Sequence, residues 1–282
     1  MISKSRFFAL VAPALLVGIF LLPVLMSSSP APPQSLEEIL DKVAGRLASY
    51  PEPAAWKAEV LSTSREMDSK WQPKKTTVIN KTVTMRDKVW TEDILSAVES
   101  EDGKEKDVTR KYRDDALKRA EKQRRRSAPE NKEDERRRGR RSMDMDRDDL
   151  LPFLPGMRGN HDFFLRVPAT LEGRQVLVLQ SKARERSLEA YEGLYFIDPE
   201  TFDVRRVELS PSKTPGPLKR LDMEIDFRLL PEGHLVIAKA KMRIHIGLVI
   251  KNYRIEAVEE YRSYEMLDRS SSTPPTSPPA NS

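Results

Sequence analysis

Between Leu221 and Ile250 apolar and polar residues alternate almost without a break. Leu221, Met223, Ile225, Phe227 and Leu229 alternate with Asp222, Glu224, Asp226 and Arg228. Further on, Val236, Ala238, Ala240, Met242, Ile244, Ile246, Leu248 and Ile250 alternate with a set that includes Lys239, Lys241, Arg243 and His245. A period of two means extended strands with one apolar and one polar face. Pro231-Glu232-Gly233-His234 between them supplies a turn. The charges set the expected register. With Leu230 opposite Leu235, Asp226 faces Lys239, Glu224 faces Lys241 and Asp222 faces Arg243, while Phe227 meets Ala238 and Ile225 meets Ala240. Each exposed cross-strand pair contributes a few tenths of a kcal/mol, against roughly 1.5–3 kcal/mol for burying a large apolar side chain. Burial holds such a hairpin, and charge selects its register.

Ahead of this hairpin the chain is organised by composition. Lys4 and Arg6 precede an apolar run from Phe7 to Met26 and then Ser27-Ser28-Ser29-Pro30. Residues 1–29 therefore read as an export signal peptide or an uncleaved N-terminal anchor, and either leaves the remainder outside the cytoplasm. Residues 30–34 form a Pro-rich spacer. Ser35 with Glu38 has capping-box spacing, and Leu36, Ile39, Leu40, Val43 and Leu47 make one helical face through about Tyr50. Strands are expected around Trp56–Val60, after Trp71-Gln72-Pro73 through about Met85, and onward through Val98, with Glu101-Asp102-Gly103 as a turn.

From Lys104 to Asp149 some two thirds of the residues are charged. Lys111–Arg126 has the makings of a solvated helix, and Ser127–Asp149 is expected to be disordered. Acids interleaved with the basic runs argue against nucleic acid as a partner and favour a solvated insertion in a sheet loop, with contact to a membrane surface or an envelope protein as the other reading. Further strands are expected at Phe163–Val167, Gln175–Gln180, Gly193–Ile197, Val204–Leu209 and Tyr253–Met266, with Lys182–Glu192 a charged loop or short helix. Ser/Pro/Thr residues from 269 to 282 read as a disordered tail.

The chain has no cysteine, three scattered histidines and a net charge of +5. A thiolate site, a disulfide and a lipid-modified cysteine are excluded, and no histidine has a second ligand at helical or strand spacing. No nucleophile elbow, phosphate loop or zinc motif occurs. The residues describe a binder, not an enzyme, without a cofactor. One amphipathic helix is too small to cover a face of eight or more strands, so the apolar side must close on itself, pack on another layer or leave a groove.

Gly193-Leu194-Tyr195-Phe196-Ile197-Asp198-Pro199-Glu200-Thr201-Phe202-Asp203-Val204-Arg205-Arg206-Val207 resembles the "G-x-x-x-I-D-P-x-T-x-x-V-x-R" hairpin of LolA-like outer-membrane lipoprotein-sorting proteins. Glu260-Tyr261-Arg262-Ser263-Tyr264 is similar to the "Y-S-x-Y" ending of their last strand. The resemblance spans roughly residues 35–100 and 150–268. It implies an α+β fold: a strongly curved antiparallel half-barrel over residues 35–268, with the N-terminal amphipathic helix on its concave side. It further implies a periplasmic carrier of lipoprotein acyl chains or other lipid. RseB-like stress sensors, which share the sheet and bind a partner protein, are the alternative. Met223, Ile225, Phe227, Val236, Met242, Ile244, Ile246 and Leu248 are the candidate ligand-lining residues. The charged insertion departs from the family pattern, and no arginine falls on the apolar faces around 221–250, where such carriers hold one.

Overall fold

The computed structural model describes residues 35–51, 53, 55–86, 89–127, 150–188, 190–248 and 252–267. The signal or anchor, the spacer, the Ser/Pro tail and residues 128–149 of the charged insertion lie outside the described residues.

Helix α1 (Leu36–Ser49) begins where the capping box places it, with the Ser35 hydroxyl accepting from the Glu38 amide at 3.2 Å. Strands β1 (Ala55–Met67), β2 (Pro73–Arg86), β3 (Val89–Glu101) and β4 (Lys104–Asp107) follow as a meander. Helix α2 (Thr109–Ser127) comes next, then a short helix α3 (Pro155–Arg158). The second half contains β5 (His161–Leu165), β6 (Ala169–Leu171), β7 (Arg174–Ala183), β8 (Tyr191–Ile197), β9 (Val204–Pro211), β10 (Leu218–Leu229), β11 (Leu235–Gly247) and β12 (Asn252–Met266). Residues 184–190, where loop or helix was open, are without a helix among those described.

All pairings are antiparallel, in the order β4-β3-β2-β1-β12-β11-β10-β9-β8-β7-β5, with β6 also on β7. The two meanders are joined by β1 against β12, which sets Ala58 beside Tyr264 and Ser64 beside Ala257. The sheet does not close, since β4 and β5 stay at opposite edges. It is a curved half-barrel with helices on one face. Tight hairpins use paired positive-φ residues, Asp102-Gly103 and Glu172-Gly173, as two-residue turns of this twist require.

Three apolar clusters hold the inner face. The largest sets Ile39, Leu40, Val43 and Leu47 of α1 on Tyr195, Ile197, Val207, Met223 and Ile225, with Leu151 and Phe153 sealing one end. A second gathers Trp56, Ala58, Val60, Val83 and Tyr261 around the β1–β12 seam. The third joins Ile94 and Ala97 of β3 to Val108 and Ala116 of the α2 segment.

That third cluster corrects the expectation of a single helical cover. The first part of the charged insertion is a docked second helix, not a solvated one. Its start is fastened to β3, where the Ala97 amide donates to Thr109 Oγ1 at 2.9 Å and the Val108 amide to the Ala97 carbonyl at 2.9 Å. A bulge in β3 next to Ile94 shifts the pairing with β2, and Arg113 donates to the carbonyls of Ile94 (2.8 Å) and Leu95 (3.1 Å) there. Tyr112 and Ala116, one turn apart, are the apolar contacts, too sparse a stripe to stand out among so many charges.

The central hairpin keeps the expected register at its charged positions: Asp222 faces Arg243, Glu224 faces Lys241 and Asp226 faces Lys239. Two findings differ. The ion pairs form with the next strands out, Arg206 of β9 taking Asp226 (2.5 Å) and Glu224 (3.4 Å), and Glu256 of β12 taking Arg243 (3.0 Å). Each strand has a neighbour on both sides, and the long basic side chains reach across to whichever carboxylate lies nearer. Secondly, a bulge between Asp226 and Phe227 sets Phe227 against Ile237, not Ala238, and Leu229, not Leu230, against Leu235. One extra residue inverts the sidedness beyond it, so Val236 pairs with Arg228 while Ile237 joins the inner face.

Candidate functional site

Strand register places the inner face residue by residue. One transverse row runs Ile225, Ala240, Glu259, Ser62, Ile79 and Ala97, and the next Met223, Met242, Ala257, Ser64 and Thr77. α1 covers the β8–β10 end of these rows and α2 the β2–β3 end. Between the two helices lies a floor made by β11, β12 and β1. Met242 and Ile244, opposite Ala257 and Ile255, are half-buried there, with Ser62 and Ser64 bordering them on β1.

The eight residues expected to line a ligand site fall into three groups. Met223 and Ile225 are buried under α1 as part of the main core. Phe227, Met242, Ile244 and Ile246 are half-buried, the first three packed against that core. Leu248 is 50% exposed at the end of the hairpin, and Val236 is buried but turned away from Phe227 by the bulge. The structure thus keeps Met242, Ile244 and Ile246 on one half-buried side of β11, and separates Val236 from them.

Sequence reasoning missed the polar centre of this face. Lys81 of β2 pairs across the sheet with Val60 and Ile94, and its side chain is only 10% exposed. Its ammonium donates to Glu92 at 2.6 Å and to Glu259 at 2.8 Å. Arg119 of α2 reaches the other oxygen of Glu92 at 2.7 Å, and the Tyr261 hydroxyl donates to the second oxygen of Glu259 at 3.1 Å. Burial opposes the charge on Lys81, but the two carboxylates outweigh it and hold the ammonium above its ordinary range. Burial likewise works against ionised Glu92, and Lys81 with Arg119 more than offset it, holding the carboxyl below its usual range. The available signal was Lys81 on the same strand face as Ile79, Val83 and Met85, a cation where a branched aliphatic was due.

Beside this cluster a cavity of about 300 Å³ lies between α2 and the sheet, walled by Val83, Trp90, Ala116 and Ala120. A wider cleft of about 850 Å³ opens between the start of α1 and β5, lined by Leu36, Leu40, Phe153, Phe163 and Phe164, with Arg158 bridging Glu37 and Asp41 at its rim. None of the eight expected residues lines either hollow. Among the described residues no group of acidic or histidine side chains is arranged to hold a metal ion, and no helix is long and apolar enough to cross a membrane.

Among solved structures the chain is similar to a domain described as an outer membrane lipoprotein-sorting protein from Vibrio parahaemolyticus, at 11% identity and TM-score 0.38, covering 82% of this chain and 94% of that one. It is also similar to a LolA superfamily protein from Nitrosomonas europaea, at 10% identity and TM-score 0.36, covering 84% and 95%. A DUF1329 family protein from Desulfovibrio piger matches at 10% identity and TM-score 0.36, covering 82% and 92%. At such identities and TM-scores the likeness carries no functional information. No family model and no curated protein matches the chain.

Proposed function

We propose that this protein binds acyl chains without covalent chemistry on the inner face of its sheet, as a lipid or lipoprotein carrier exported to the periplasm. One observation carries the reading: Met242, Ile244 and Ile246 of β11, with Ile255 and Ala257 of β12, form a half-buried apolar strip between the patch packed by α1 and the patch packed by α2. Small-molecule sites are lined mainly by apolar side chains with a few polar groups beside them, and the Lys81 cluster borders this strip. The charged run near the N-terminus followed by an apolar segment supports export.

The test is native mass spectrometry of full-length protein purified from membranes, together with uptake of a fluorescent monoacylglycerol. Co-purifying lipid and saturable uptake are expected, with uptake lost in Met242→Glu and Ile244→Glu. Homogeneous ligand-free protein that takes up no probe would sink the proposal. A second reading, capture of an extended partner peptide, draws on β5, an edge strand among the described residues, where Phe164 (43%) and Leu165 (45%) are exposed. A peptide partner whose binding is lost in Phe164→Asp, with no lipid uptake in the parent protein, would favour it.

A further inference from the structure

The acyl floor and the Lys81 cluster are contiguous, because Ala240 of the floor pairs directly with Glu259 of the cluster. Directly opposed strand residues stand about 5 Å apart, so Glu259 borders the floor on the same face. The cluster holds two cations, Lys81 and Arg119, and two anions, Glu92 and Glu259, in alternation. Its charges cancel.

Its hydrogen-bonding capacity is not used up. Lys81 has three ammonium hydrogens and spends two on the glutamates, and Arg119 has five N–H groups and spends one on Glu92. Each carboxylate oxygen of Glu92 and Glu259 accepts one bond and retains a further lone pair. The 300 Å³ hollow beside these groups is at the lower end of the size range of ligand pockets, and its other walls, Val83, Trp90, Ala116 and Ala120, are apolar. Buried ion pairs are a poor means of fastening a helix, since a hydrophobic replacement of equal volume holds as well or better. Four charges beside an open hollow suit a ligand that itself carries both signs.

We propose that this cluster receives the headgroup of a zwitterionic phospholipid, an aminoalkyl phosphodiester, while its acyl chains lie on the floor at Met242 and Ile244. The phosphodiester oxygens accept from Lys81 and Arg119, and the terminal ammonium donates to Glu92 and Glu259. A neutral cluster favours a neutral headgroup, and an anionic phosphoglycerol headgroup adds a net negative charge beside the two glutamates with no ammonium to donate to them. The inference rests on the acyl-binding reading and names the lipid class for the same site.

The experiment compares lipid extraction by the full-length protein from vesicles of phosphatidylethanolamine and of phosphatidylglycerol, with fluorescent monoacylglycerol uptake measured in parallel. A preference of about tenfold for phosphatidylethanolamine is expected, the factor that one charge-assisted contact supplies. Glu259→Gln leaves the cluster with a net positive charge and is expected to move the preference towards phosphatidylglycerol, which a purely structural role would not do. Arg119→Gln, at a position 57% exposed and so tolerant of change, is expected to weaken extraction of both phospholipids. Equal extraction of the two phospholipids with monoacylglycerol uptake intact overturns the headgroup assignment and leaves the carrier reading standing. Absence of all uptake overturns both. Binding of soluble glycerophosphoethanolamine as tight as that of the lipid overturns the lipid assignment in favour of a free zwitterion.

Discussion

Tyr50 donates its hydroxyl to the carboxylate of Asp203, tying the C-terminal end of α1 to the β8–β9 turn across 153 residues of sequence. Arg46 Nε, one turn earlier in the helix, meets the same carboxylate oxygen at 2.7 Å. Burial works against the charge on Asp203, but the Tyr50 hydroxyl and the Arg46 guanidinium prevail and hold its carboxyl below the ordinary value of 3.8. A depressed folded-state pKa gives stability that is complete above the unfolded value near 4 and is lost as pH falls through the folded one. Asp203→Asn should therefore cost about 2 kcal/mol at neutral pH, a figure for hydrogen bonds to a charged group. The half-exposed guanidinium contributes little of it. Urea unfolding at pH 7 and again near pH 2 checks this, since the gap between variant and parent should shrink in acid.

Gly193 lies where β8 crosses close to β9. A Cβ there would stand 2.0 Å from the carbonyl oxygen of Glu208, a backbone atom that cannot move aside without breaking the pairing. Gly193→Ala should destabilise by about 3 kcal/mol, the upper part of the overpacking range. A drop of less than about 1 kcal/mol in denaturant unfolding would contradict this geometry.

Lys81 removed alone leaves two carboxylates facing a vacated centre. Lys81→Met should cost about 3 kcal/mol by urea unfolding, as breaking a buried pair does. Replacing Glu92 and Glu259 by leucine in the same chain should recover most of that loss. The Lys81 contribution, with its folded pKa raised, is present below the unfolded value of 10.5 and disappears as pH rises through the folded one. That of Glu92, with its pKa lowered, is present above the ordinary 4.5 and fails as pH falls.

Ala116 is 6% exposed where α2 meets β3. Ala116→Glu buries a charge there and should release the helix, at a cost of about 3 kcal/mol. Limited trypsin digestion reads it directly, because the helix carries Arg110, Lys111, Arg113, Lys118 and Arg119 and should be cut much faster in the variant than in the parent. Equal digestion rates would contradict the docking.

How far the sequence reached depends on the range of the interactions involved. The cap of α1, the alternation of β10 and β11 and their charge-matched register are properties of neighbouring residues, so period and charge alone determined them. A bulge at Ala238 was not legible, because one displaced residue among alternating apolar side chains leaves no compositional mark, and it redirected Val236 and Ile237. Docking of α2 was hidden for a related reason: its few apolar contacts and the Arg113 bonds to backbone carbonyls act on partners in β3. The β1–β12 seam and the Lys81–Glu259 contact, 178 residues apart, exist only when the two meanders meet. Short-range periodicity fixed which strands form and which side of each is apolar. Only the pairing of β1 with β12 brought Glu259 to the Lys81–Glu92–Arg119 chain on the face meant for grease.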